Sequence, residues 1–220
     1  MSKIAPEKER LHQYLILMVE LDTRINLVNA ATSGKLNLSP PYARELCYFQ
    51  FRRMCEIIAL GCLILHGDIP ATQSNNIRKE WNADKIMGLL SGLHENFFPQ
   101  SVVRTGGDKT MTIEANAVQG ALTRQEFKQL YSECGVVLHR GSIRSLQMET
   151  PPSQADYAKV FIWAEKIVKL MQEHIVTRSL VTGLYLVSMK TVAGGPQGSL
   201  LTFEDGKIAV ESVTVKVVSH

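Results

Sequence analysis

The sequence predicts a mainly α protein: an antiparallel bundle of about five helices, with a short β-hairpin insertion and a small C-terminal antiparallel β meander. Three observations predict it. Apolar residues recur at three- and four-residue steps from Leu11 to Val28, the spacing of one helix face. A second apolar block, Leu46 to Leu65, carries Arg52, Arg53 and Glu56 near its middle; such charges argue against a membrane span and for a central helix of a folded bundle. Beyond Arg178 the texture changes to β-prone runs separated by glycine turns. Residues 1–178 are thus expected to form a helical domain and residues 179–220 a β-rich appendage.

Each element has its own signal. The first helix is expected over Pro6 to Asn29, broken by Thr32-Ser33-Gly34. Ser39-Pro40-Pro41 opens the second, because proline's missing N–H has no partner in a first turn anyway. His66-Gly67 closes it, with Gly67 expected in the left-handed conformation and Pro70 preventing continuation. A third helix is expected over roughly Asn76 to Asn96, ended by Pro99. Val102 to Thr112, with Thr105-Gly106-Gly107-Asp108 at its centre, reads as an exposed hairpin. Thr123 to Glu126 matches a capping box for the fourth helix, and Ser153 to Asp156 gives a weaker cap for the fifth, which carries its apolar face as far as Ile175. The meander is expected over Leu184 to Thr191, Ser199 to Phe203 and Ile208 to Val218.

Composition narrows the function classes only slightly. The chain has 220 residues, 45% of them hydrophobic and 20% charged, ordinary values for a protein with a sizeable core. A net charge of +3 neither demands nucleic acid nor excludes it. The polar start, Met1 to Arg10, lacks the apolar stretch of a secretory signal, so a cytoplasmic protein without a membrane span is expected. Cys47, Cys55, Cys62 and Cys134 form no CxxC pair and are expected to be buried free thiols.

Two constellations are candidates for chemistry. On the fourth helix Lys128, Ser132, Gly135 and His139 fall in one row beside the apolar stripe. Gly135 opens a gap there, and histidine transfers protons near neutral pH, so His139 is the candidate acid or base; the plainer alternative is a boundary histidine bonded to a neighbouring helix. On the second helix both Arg52 and Arg53 are within reach of Glu56. That trio is either a structural ion pair at a dimer interface or an anion clamp, for which arginine's planar fork is suited. Arg140 and Arg144 are further candidates for nucleic-acid backbone contacts. Cys62 and His66 sit one turn apart, but two ligands do not make a zinc site, and no metal or other cofactor is expected. No phosphate-binding glycine loop and no GxSxG elbow occurs.

The long helices, the arginine-bearing second helix and the stretch Tyr131-Ser132-Glu133-Cys134-Gly135-Val136-Val137-Leu138-His139-Arg140-Gly141 resemble the HEPN superfamily. Glu45 to Asp68, Lys79 to Ile86 and Leu130 to Ser142 are more narrowly similar to a group of uncharacterised bacterial HEPN-like proteins, over roughly residues 6–177. The resemblance implies a homodimer. It also implies, in the superfamily's active members, metal-independent RNA cleavage by an arginine and a histidine on one helix. His139 matches that histidine, whereas Ser132, Glu133 and Cys134 stand where the arginine would fall. The leading expectation is therefore a dimeric protein that binds RNA, a nucleotide or a protein partner without an intact nuclease motif. Two alternatives stand beside it. One is an endoribonuclease with His139 as acid/base and Arg52 or Arg53 steadying the phosphate. The other is an interaction protein of a mobile-element or defence system, recruiting its partner through the C-terminal strands.

Overall fold

A computed structural model describes residues 6–107, 110–139, 152–178, 182–191, 194–204 and 207–215. Among these, five α-helices occur: α1 (Pro6–Thr32), α2 (Pro40–Leu65), α3 (Ala83–Leu93), α4 (Arg124–Leu138) and α5 (Gln154–Met171). Six strands accompany them: β1 (Gln100–Gly107), β2 (Thr110–Ala115), β3 (Glu173–Thr177), β4 (Gly183–Ser188), β5 (Gln197–Glu204) and β6 (Lys207–Thr214). None of the helices is long and apolar enough to cross a membrane.

The strands form one antiparallel sheet in the order β2-β1-β3-β4-β5-β6. This corrects the expected bundle with a hairpin insertion and a separate small meander. β3 is the reason. Gln100 and Ser101 of β1 pair with Ile175 and His174 of β3, and β3 then pairs with β4 over Glu173↔Ser188 to Thr177↔Leu184. One short strand thereby stitches the hairpin to the C-terminal strands. Sequence reading carries α5 through Ile175, because Met171 and Ile175 continue its four-residue step. The chain instead leaves the helix at Gln172 and enters a run, Glu173-His174-Ile175-Val176-Thr177, whose β-branched side chains favour the extended form.

The sheet buries both faces of its centre. Val176, Tyr185, Val187 and Leu200 join the main core with residues of all five helices. Their neighbours Ile175, Leu186 and Leu201 point the other way, into a smaller cluster with Val102 of β1, as a two-residue period requires. The expected boundary at residue 178 falls between β3 and β4. The main core draws Tyr185, Val187, Met189 and Leu200 from beyond that boundary.

Two close approaches set the helix–sheet geometry. A Cβ on Gly61 of α2 would lie 2.6 Å from the Tyr14 ring, and one on Gly198 of β5 would lie 2.7 Å from Leu11. Both glycines let α1 press against its neighbours. Tyr14 is completely buried. Its hydroxyl donates to His174 Nε2 at 2.7 Å, while His174 Nδ1 donates to the Met171 carbonyl at 3.0 Å. The carbonyl can only accept, so the neutral ring carries its proton on Nδ1 and receives the tyrosine's on Nε2.

Side-chain caps open α3, α4 and α5, whereas Ser39 stands before α2 without a side-chain cap bond. Both expected capping boxes, Thr123 with Glu126 and Ser153 with Asp156, are complete. α3 is shorter than expected: Glu80 is extended and its carboxylate accepts the backbone N–H of Trp81 and Asn82, so the helix starts after the Asn82 cap. α2 ends as expected at His66, but Gly67 is not among the left-handed residues; the turn closes instead through Gly67 N–H to the Ile64 carbonyl.

Candidate functional site

The charged trio of α2 meets α4 across a shared face. Arg52 lies 3.4 Å from Glu56, and its guanidinium also reaches Tyr131 on α4, 3.4 Å from the hydroxyl and 4.9 Å from the ring centroid. A Cβ on Gly135 would be 3.9 Å from Arg52 Nη1, so the gap expected at that glycine accommodates the arginine. Arg53 bonds Glu56 at 2.8 Å and lies 6.0 Å from the Phe49 ring centroid. The carboxylate thus holds two guanidinium groups, and the Glu56 bond pushes Arg53 further up from its already high pKa. Burial raises the Tyr131 hydroxyl, opposed by the neighbouring Arg52 charge.

His139 does not join them. It is the residue after α4, with extended backbone (φ −93°, ψ 126°) and an exposed side chain. Its N–H still bonds the Gly135 carbonyl at 3.1 Å, so it sits one turn beyond that glycine as the C-cap. Among the described residues no hydrogen bond or ion pair engages its ring. Lys128 and Ser132 are exposed on α4. Arg140 and Arg144 lie outside the described residues.

Apolar side chains surround the trio. Phe49 is 45% exposed and Trp81 66%. Leu60 and Trp81 share a cleft of about 250 Å³ with Arg53 and Glu56. A face that alternates charged groups with large exposed apolar ones is unlike a simply solvated helix surface.

The four cysteines are all buried free thiols, as expected. Burial pushes Cys47 up to about 11, and Cys62 and Cys134 up to about 12, so none is a ready nucleophile. The Cys62–His66 pair is occupied with itself: His66 Nδ1 donates to the Cys62 carbonyl at 2.8 Å. No group of three or more metal-ligating side chains occurs among the described residues.

A second polar chain escapes the sequence reading. Tyr48 of α2 donates to Glu133 of α4 at 2.6 Å, and Glu133 lies 3.9 Å from Lys159 of α5. Arg44 stacks over the Tyr48 ring at 4.9 Å. The four-residue spacing of Arg44 and Tyr48 was a usable signal; the contacts to Glu133 and Lys159 join three helices and have no local one. No protein-family model, curated protein or solved structure matches the chain.

Proposed function

We propose that the protein is a non-catalytic binding protein that pairs with a second copy of itself through the exposed face of α2 beside α1 and Trp81. The observation carrying this reading is the exposed set Phe49, Leu60 and Trp81 interleaved with Arg53 and Glu56. Isologous pairing lets such a face bury its apolar groups while its charges meet complementary ones on the partner. The resemblance of residues 131–141 to the HEPN superfamily motivates the same arrangement. Binding is favoured over RNA cleavage because Arg52 is engaged by Glu56 and Tyr131, whereas His139 stands exposed beyond the end of α4. An acid/base pair needs both groups within reach of one phosphate.

Light scattering at micromolar concentration tests the pairing. The unaltered chain is expected to be dimeric, and Phe49→Asp combined with Trp81→Asp monomeric with an unchanged melting temperature. A monomeric unaltered chain, or a double variant that stays dimeric, refutes the interface. Incubation with total RNA in chelator tests the absence of cleavage. Neither the unaltered chain nor His139→Ala should cut; cutting that disappears in His139→Ala would restore the nuclease reading.

A further inference from the structure

A cleft of about 240 Å³ lies between the C-terminal end of α1, the first turns of α2 and the N-terminal half of α5. Its walls are apolar, with Leu38, Ala43, Cys47, Val160 and Phe161 among them. Arg44 lines the same cleft. Its Nε is buried without a hydrogen-bond acceptor, and no ion pair or hydrogen bond engages its fork among the described residues. The Tyr48 ring beneath it is fixed by the bond to Glu133. Asp156, held low chiefly by its bonds to Ser153, also feels the Arg44 charge but is not paired with it. A preplaced guanidinium whose Nε meets no protein acceptor, set in an apolar cleft, is suited to a carboxylate.

The geometry points to a binding site for a small organic monocarboxylate with an apolar body, its carboxylate on Arg44 and its hydrocarbon part along Leu38, Ala43, Val160 and Phe161. Size, charge and donor supply each restrict the ligand. A dry cavity of roughly 150 Å³ accommodates benzene, so about 240 Å³ suits a ring with a short acid arm or a medium-length acyl chain. Arg44 is the one cationic side chain lining the cleft among the described residues, and Cys47 beside it is a protonated thiol, pushed up to about 11 by burial. One fork matches one carboxylate. A phosphate would seek further donors, but the α2 end opens with Pro40 and Pro41, which have no N–H to offer.

Calorimetric titration of the full chain with octanoate and with 3-phenylpropionate tests this, using 1-octanol and 3-phenylpropanol as neutral counterparts. At least one acid should bind saturably in the millimolar range or tighter, and its alcohol at least tenfold more weakly. Whichever acid binds better identifies a linear or an aromatic body. Arg44→Gln should reduce the acid to the affinity of its alcohol, and Ala43→Phe, which fills the cleft, should abolish binding. The proposal is overturned by no saturable binding of either acid, by equal affinity for acid and alcohol, or by binding that survives Ala43→Phe. Should Arg44→Gln fail to fold, the acid–alcohol ratio on the unaltered chain decides alone.

Discussion

Two histidine-bearing regions of this molecule are opposites. At the helix–sheet junction His174 is completely buried and both ring nitrogens are bonded, one to Met171 and one to Tyr14. At the end of α4 His139 is exposed, with no bonded ring nitrogen among the described residues. Around His174 the backbone of two helices and a sheet converges, with Gly61 giving α2 its close approach to Tyr14. The charges of α2 pair with one another at a partly open face. The same side chain is thus held by two bonds in one place and exposed at a helix end in the other.

Acid provides the largest test of this contrast. Burial depresses His174 to about 4 from its ordinary value near 6.5. The unfolded chain therefore takes up this proton first, and the folded state is penalised as the pH falls below that ordinary value. The penalty grows until the pH passes the folded value and then levels off. It should reach about 3 kcal/mol by pH 4. Urea midpoints at pH 7 and pH 4 for the unaltered chain and for His174→Gln measure it; an identical acid loss in both would break the assignment. His66, also lowered by burial, contributes with the same sign and is common to both proteins.

Overpacking the junction comes next. Gly61→Ala places a methyl group 2.6 Å from a Tyr14 ring that is buried and anchored through its hydroxyl, so the ring cannot swing aside. A loss of about 1–3 kcal/mol is expected in urea unfolding; a neutral substitution would mean that α1 and α2 can separate freely. The smallest effect belongs to the open face. Arg53→Ala removes a guanidinium that is 52% exposed and should change monomer stability by less than about 1 kcal/mol, while weakening self-association. A loss as large as that of Gly61→Ala would erase the distinction between the two regions.

How much of this was legible depended on whether the signal was local. α1 and α2 follow from apolar spacing and breakers, and the two capping boxes follow from four-residue patterns. The Arg52–Arg53–Glu56 cluster follows from turn spacing on one helix. β3 was hidden because Met171 and Ile175 extend the helical rhythm across a break that no glycine or proline marks. Its pairing with β1 joins segments far apart in the chain, and no local pattern encodes that. Tyr48–Glu133 and Tyr14–His174 escaped for the same reason. His139 keeps the helical bond of its N–H to the Gly135 carbonyl but turns extended at ψ 126°, an end that periodicity alone specifies poorly.

The Leu11–Gly198 contact has a consequence for biosynthesis. α1 is synthesised well before β5, the strand that covers part of its inner face. Until β5 arrives, Leu11 lacks the strand it packs on, and nascent chains with uncovered apolar surface are prone to stick to one another. Slow synthesis between α1 and β5 would lengthen that vulnerable interval, so chaperone demand during translation should depend on the codons that separate them.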